Sequence, residues 1–195
     1  MHARPVFILA ALAMAAFSSP GFVRSAIAQH GATGDKPEMA SRGQRKAREI
    51  KYGDWQKVCF KTPGSNMVCR TRIIGIWPDT GQSAVRVDLI EREGESTARV
   101  QLFLPVGLYL QTAAKLTVDQ GEPYQVPYVW CLTNTCIAGD KANPGLVKEM
   151  DTGDKLKLEV VDTNLLSVST LLPLGQFASV RKGAPAQIFQ QDIDE

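Results

Sequence analysis

From Tyr52 onward the apolar residues of this chain alternate with polar ones over short windows instead of recurring every third or fourth position, the period of pleated strands rather than of helices. The alternation predicts a strand over Trp55 to Phe60, the loop Thr62-Pro63-Gly64-Ser65-Asn66, and a second strand over Met67 to Trp77. Pro63-Gly64 is a strong turn signal. Pro78-Asp79-Thr80-Gly81 then turns into Ser83 to Glu91, where Val85, Val87 and Leu89 form one face and Arg86 and Asp88 the other. Glu93-Gly94-Glu95 turns into Ala98 to Leu104. There Val100, Leu102 and Leu104 align, Arg99 and Gln101 point outward, and Pro105 ends the run.

Two short strands are expected at Leu108-Tyr109-Leu110 and Leu116-Thr117-Val118, followed by an aromatic strand that sets Tyr124, Val126, Tyr128 and Trp130 on one side. Asn143-Pro144-Gly145 with Leu146, Val147 and Met150 predicts a single helix of about two turns: Asn143 caps it, Pro144 fits the first helical position and Gly153 ends it. Lys155 to Asp162 and Leu165 to Leu172 make a closing pair. Many short strands with turn signals between them predict an all-β fold, a sandwich or barrel-like set of antiparallel sheets with one short helix.

The chain does not begin with that pattern. Residues 1–28 carry His2 and Arg4, an apolar stretch from Pro5 to Phe17 and the small residues Ala26-Ile27-Ala28, the order of a secretory signal peptide whose apolar core is too short for a mature spanning helix. Cleavage after Ala28 would leave 167 of the 195 residues. Residues 29–51 shift to small, polar and basic composition and read as a flexible basic linker. Its Arg42, Arg45, Lys46, Arg48 and Lys51 form a possible surface-binding segment, because bases near an anionic envelope surface each contribute about 1 kcal/mol. The folded domain is expected over 52–182, and 183–195 reads as an acidic tail. No later stretch is long and apolar enough to span a membrane.

Export gives the four cysteines a meaning, since an oxidising compartment favours disulfides. Four cysteines allow three pairings. The short spacings of Cys59 with Cys69 and of Cys131 with Cys136 favour two local bridges, the first across the predicted hairpin. Neither spacing is that of a zinc knuckle, and no histidine stands near to assist, so no metal is expected.

With 44% hydrophobic and 22% charged residues the composition is ordinarily globular. The formal charge is +2, and loss of Arg4 and Arg24 with the leader would bring it to zero, so no strong field gathers nucleic acid. Both histidines, His2 and His30, precede the predicted domain, which removes the commonest general base. The triplets Asp79-Thr80-Gly81 and Asp151-Thr152-Gly153 look like aspartic-protease signatures, but one sits in a hairpin turn and the other closes a helix. Glu91, Glu93 and Glu95 could pair as glycosidase carboxylates, though Gly94 and Arg92 argue for a solvated turn. The stripe Tyr124, Tyr128 and Trp130 reads as core more readily than as a stacking platform. No catalytic residue and no cofactor is expected.

Tyr52-Gly53-Asp54-Trp55 followed by Cys59, then Cys69, the run Leu102-Phe103-Leu104-Pro105-Val106-Gly107-Leu108, and Cys131-Leu132-Thr133-Asn134-Thr135-Cys136-Ile137-Ala138 together resemble the invasion-associated locus B family of exported Gram-negative proteins. The resemblance spans about Tyr52 to Val180 and includes Gly175-Gln176-Phe177. It implies an all-β periplasmic or outer-surface-associated module named for a role in host-cell invasion, with an envelope or host-surface component as partner and no catalytic residues. A periplasmic structural or stress-related role is the competing expectation.

Overall fold

The fold is described by a computed structural model over residues 41–190; the expected signal peptide, the first part of the basic segment and the last five residues lie outside the described residues. Among the described residues thirteen strands and two helices follow one another: β1 (Gly43–Gln44), β2 (Lys51–Tyr52), β3 (Gln56–Lys61), β4 (Val68–Ile76), β5 (Ser83–Arg92), β6 (Arg99–Pro105), β7 (Ala114–Val118), β8 (Tyr124–Val126), β9 (Tyr128–Cys131), β10 (Thr135–Lys141), α1 (Pro144–Thr152), β11 (Lys155–Val161), β12 (Leu166–Pro173), α2 (Phe177–Lys182) and β13 (Gln187–Gln190). They make two sheets. The smaller runs β1-β12-β11-β7-β8, and the larger β13-β3-β4-β5-β6-β10-β9, with β2 also pairing β4. The all-β fold with two local disulfides is as the sequence predicts.

Alternation decides which side of each strand is dry. Val85, Val87 and Leu89 of β5 and Val100, Leu102 and Leu104 of β6 meet Leu116, Leu156, Leu158 and Leu172 of the smaller sheet in one buried cluster. α1 closes it with Leu146 and Met150. Its start is built as expected, with the Asn143 side chain accepting from the Gly145 amide at 2.8 Å and Pro144 at the first turn. Gly153 ends it through its amide to the Glu149 carbonyl.

Both bridges join directly paired residues of antiparallel neighbours: Cys59 faces Cys69 between β3 and β4, and Cys131 faces Cys136 between β9 and β10. In the chain-entropy view each contributes about 2–3 kcal/mol by restricting the unfolded chain.

Five features depart from the reading of the sequence, the first being that Leu108-Tyr109-Leu110 forms no strand and only Leu108 makes an isolated bridge, to Asp162. A second helix, α2, docks Phe177 edge-on against Trp55, ring centroids 4.8 Å apart, while the Trp55 indole donates to the Pro173 carbonyl. Lys57 caps that helix from β3, its Nζ donating to the Arg181 and Gly183 carbonyls. The aromatic stripe is no single strand: Pro127 divides it, β8 joining the smaller sheet and β9 the larger, and Trp130 is 66% exposed rather than core. The basic stretch from Ser41 forms a strap, β1 parallel to β12 and β2 antiparallel to β4. The strap packs so closely that a β-carbon on Gly75 would meet Ile50 at 2.5 Å and Tyr52 at 2.7 Å. Finally, β13 lies parallel on β3, so the stretch after Gly183 contains a strand at Gln187–Gln190.

Candidate functional site

Residues of β4, β5 and β6 that do not enter the core project from the outer face of the larger sheet, and the register sets them in rows across the strands. Arg70, Ile90 and Arg99 form one row, Arg72, Asp88 and Gln101 the next, and Ile74, Arg86 and Phe103 a third. On β10, Lys141 extends the first row and Ile137 the third, where β9 adds Trp130. These rows hold five bases and one acid, on a chain whose whole formal charge is only +2.

Asp88 is the centre of the arrangement and is only 1% exposed. Alternation assigns it correctly to the face opposite Val87 and Leu89, yet the arginine stems beside it remove it from solvent. Arg86 Nε stands 3.1 Å from Asp88 Oδ1 and Arg70 Nη1 4.0 Å from Oδ2. Neither contact has hydrogen-bond alignment. Both carboxylate oxygens, and the Nε atoms of Arg70, Arg72 and Arg86, are buried without a hydrogen-bond partner among the described residues. Burial pushes the Asp88 carboxyl above the usual carboxylate range, against the pull of Arg86, Arg70 and Arg72. Burial also lowers the Arg86 guanidinium from its ordinary value, although a guanidinium remains charged at any physiological pH.

Aromatic rings hold the guanidiniums in place. Arg86 Cζ lies 3.5 Å from the Phe103 centroid and Arg70 Cζ 5.4 Å from that of Phe60, which stacks in turn on Phe189 at 5.2 Å. Arg70 and Arg86 nevertheless keep 38% and 28% of their side-chain surface open. The arrangement suits capture of anions. It offers no nucleophile with an adjacent base.

Several other charged groups are engaged within the fold. Arg181 of α2 forks onto Asp151, with Nε–Oδ1 3.0 Å and Nη2–Oδ2 2.6 Å, and reaches Glu91 Oε1 at 2.8 Å; Lys182 joins at 2.9 Å. The Arg181 bonds hold the Asp151 carboxyl below the usual carboxylate range. Asp79 is paired with Arg48, which lowers its carboxyl likewise. The two Asp-Thr-Gly triplets therefore each face their own cation and share no proton. Glu91, Glu93 and Glu95 also part company: Glu91 is held by Arg181, Glu95 by Arg92 at 3.2 Å, and Glu93 lies by the Met67 amide. Among the described residues no group of three or more His, Cys, Asp or Glu gathers as metal ligands.

The basic segment is divided by its contacts. Arg45 Nε donates to Asp162 Oδ2 at 3.0 Å, and Asp162 also accepts from the Asn164 and Leu166 amides, the Leu166 contact chief among those lowering its carboxyl. Arg48 pairs with Asp79 and lies over Trp77, 5.0 Å from its centroid. Arg42 and Lys51 belong to the strap's backbone pairings, and the Lys46 side chain is exposed. Beneath the strap a cavity of about 300 Å³ opens between the sheets, lined chiefly by Ile50, Val85, Leu104, Leu158 and Val160. Reading the sequence for sites missed the outer-face cluster. Its signal was present in the alternation of Arg70, Arg72, Arg86 and Asp88 along β4 and β5, but only the register brings the two strands' charges side by side.

Known proteins agree with this architecture. The crystal structure of invasion associated protein B from Bartonella henselae superposes with a TM-score of 0.58 at 19% sequence identity, covering 68% of this chain and 92% of that one. No curated protein matches the sequence. Among the described residues no helix is long and apolar enough to cross a membrane. The sequence pattern of the Invasion associated locus B (IalB) protein family matches residues 55–185, from the buried Trp55 past α2, and this chain belongs to that family.

Proposed function

We propose that this protein is exported to the cell envelope and contributes to host-cell invasion or attachment by binding a surface component, without carrying out a reaction. The observation that carries this reading is the pair of cross-strand disulfides within a sheet whose outer face presents more arginines than its one carboxylate can neutralise. Bridges of this kind form in oxidising compartments, and a rigid pleated surface holds charged groups at fixed spacing for a partner. Membership of an invasion-associated family supports the same reading. So does the position of both histidines before the folded domain, which leaves no imidazole to serve a catalytic centre there.

The test is digestion of intact cells of the parent bacterium with an added protease, combined with a deletion strain in a host-cell association assay. The protein should be cleaved while a periplasmic marker survives, and the deletion strain should associate with host cells less well. A protein protected until the outer membrane is opened would overturn the host-contact reading and point to a periplasmic structural role.

A further inference from the structure

We infer that the outer face of the larger sheet binds a sulfated or carboxylated polysaccharide, laid across β4, β5, β6 and β10. The inference deepens the proposed function by naming the chemistry of the component bound, and it rests on that reading for the compartment in which the ligand is met.

Charge is the first argument. Arg70, Arg72, Arg86, Arg99 and Lys141 share the face with a single carboxylate, Asp88, which is buried at its centre and too few to neutralise them. With strands about 4.8 Å apart, Arg70 and Arg99 stand roughly 10 Å from one another and Lys141 about 5 Å further on, a line of positive charge running across the strands. A linear polyanion matches a line; a single small anion does not.

Geometry is the second. Guanidiniums pinned on Phe103 and Phe60 have lost their rotamer freedom before any ligand arrives, so less entropy is lost on binding, and their planar forks donate to sulfate or carboxylate oxygens two at a time.

The third is the company the arginines keep. Trp130, in the row of Arg86 and Phe103, is 66% exposed and offers an indole face to a sugar ring. Phe60 and Phe103 lie under guanidiniums, so the platform of open aromatic rings that single-stranded nucleic acid needs is missing among these rows. An anionic bilayer is matched by basic residues surrounding an apolar surface that can enter the headgroup layer; here Ile74 and Trp130 are exposed in one row only, and Arg70, Arg99 and Lys141 form a separate line across the sheet.

The experiment uses the full mature, oxidised chain with heparin as the probe, neutral dextran as the uncharged control, and vesicles containing phosphatidylglycerol as the lipid alternative. Heparin should bind and dextran should not, with affinity falling as salt rises. Arg72→Gln and Arg99→Gln should each weaken binding about fivefold and reduce the salt slope by about 1. Trp130→Ala should weaken binding with the slope unchanged. Lys46→Gln on the strap should leave heparin affinity intact, and an unchanged melting temperature in the Arg99 and Trp130 variants shows that they fold. Equal binding to dextran, preference for the vesicles over heparin, or loss of binding in the strap variant but not the face variants would each overturn the inference. None of those results touches protease accessibility on intact cells, so the two readings fail separately.

Discussion

The two faces of β5 and β6 are made from the same stretch of chain and obey different rules. On the inner face Val85, Val87, Leu89, Val100, Leu102 and Leu104 are aliphatic and buried; Val87 and Leu102 have no exposed surface at all. On the outer face Asp88 is nearly as buried as they are, yet it lies among arginines and has no aligned hydrogen bond. One face is optimised for stability. The other keeps a costly charge in place, since burying a carboxylate is unfavourable unless it is paired and hydrogen-bonded. The two sides of one sheet therefore contribute unequally to stability.

Truncation breaks this comparison most directly. Leu102→Ala should cost about 2–5 kcal/mol, the range for emptying a fully buried aliphatic site, while its neighbour Gln101→Ala on the outer face should move the unfolding midpoint within about 0.5 kcal/mol. Chemical denaturation of both variants measures the asymmetry, and equal losses would erase it. Next in size are the bridges. Cys59→Ser or Cys131→Ser should lower the stability of the oxidised protein by about 2–3 kcal/mol. Under reductant each should match the parent, because there the parent has lost its bridges too.

The smallest effects are the most discriminating, because Asp151 and Asp88 respond to pH with opposite sign. The Asp151 carboxyl is lowered by its bonds to Arg181, so its contribution is present above the unfolded carboxylate value and is lost as pH falls through the folded one. Asp151→Asn should therefore destabilise by about 2 kcal/mol at pH 7 and converge on the parent in acid. The Asp88 carboxyl is raised by burial, so its ionisation weakens the fold as pH climbs from the ordinary carboxylate value through the raised one. Asp88→Asn should be neutral or stabilising at pH 7, by less than about 1 kcal/mol, again merging with the parent in acid. Stability curves from pH 2 to 8 that moved in the same direction for both variants would contradict the assignment.

Much of this was legible in the chain because alternation is a local property. Val85, Val87 and Leu89 declare a core face without any knowledge of their neighbours, and Asn143-Pro144 marks a helix start by its own backbone chemistry. What alternation cannot convey is what lies across a face. Asp88 reads as an outward residue, and its burial comes from Arg70 and Arg72 on β4, some sixteen to eighteen positions earlier in sequence and adjacent only through the register. The strap escaped for a similar reason: strands as short as β1 and β2 have almost no pattern of their own and exist because β12 and β4 offer unpaired edges. Trp130 was misjudged because Pro127 silently transfers the chain from one sheet to the other, so its period no longer relates it to Tyr124. α2 is a six-residue helix whose buried anchor is Phe177 alone, too brief for a recurring apolar stripe.

The parallel pairing of Gln187–Gln190 on β3 gives the molecule an unusual vulnerability. Among the described residues those four are the strand that covers one margin of the larger sheet, and they contribute almost nothing to the core, every one of them being solvent-facing. A protease that clipped the chain at Gly183 would leave the fold intact while baring the amides and carbonyls of Gln56–Lys61 as a sticky ladder. Damage at this end should therefore announce itself through clumping of native-like molecules, with the melting temperature scarcely altered.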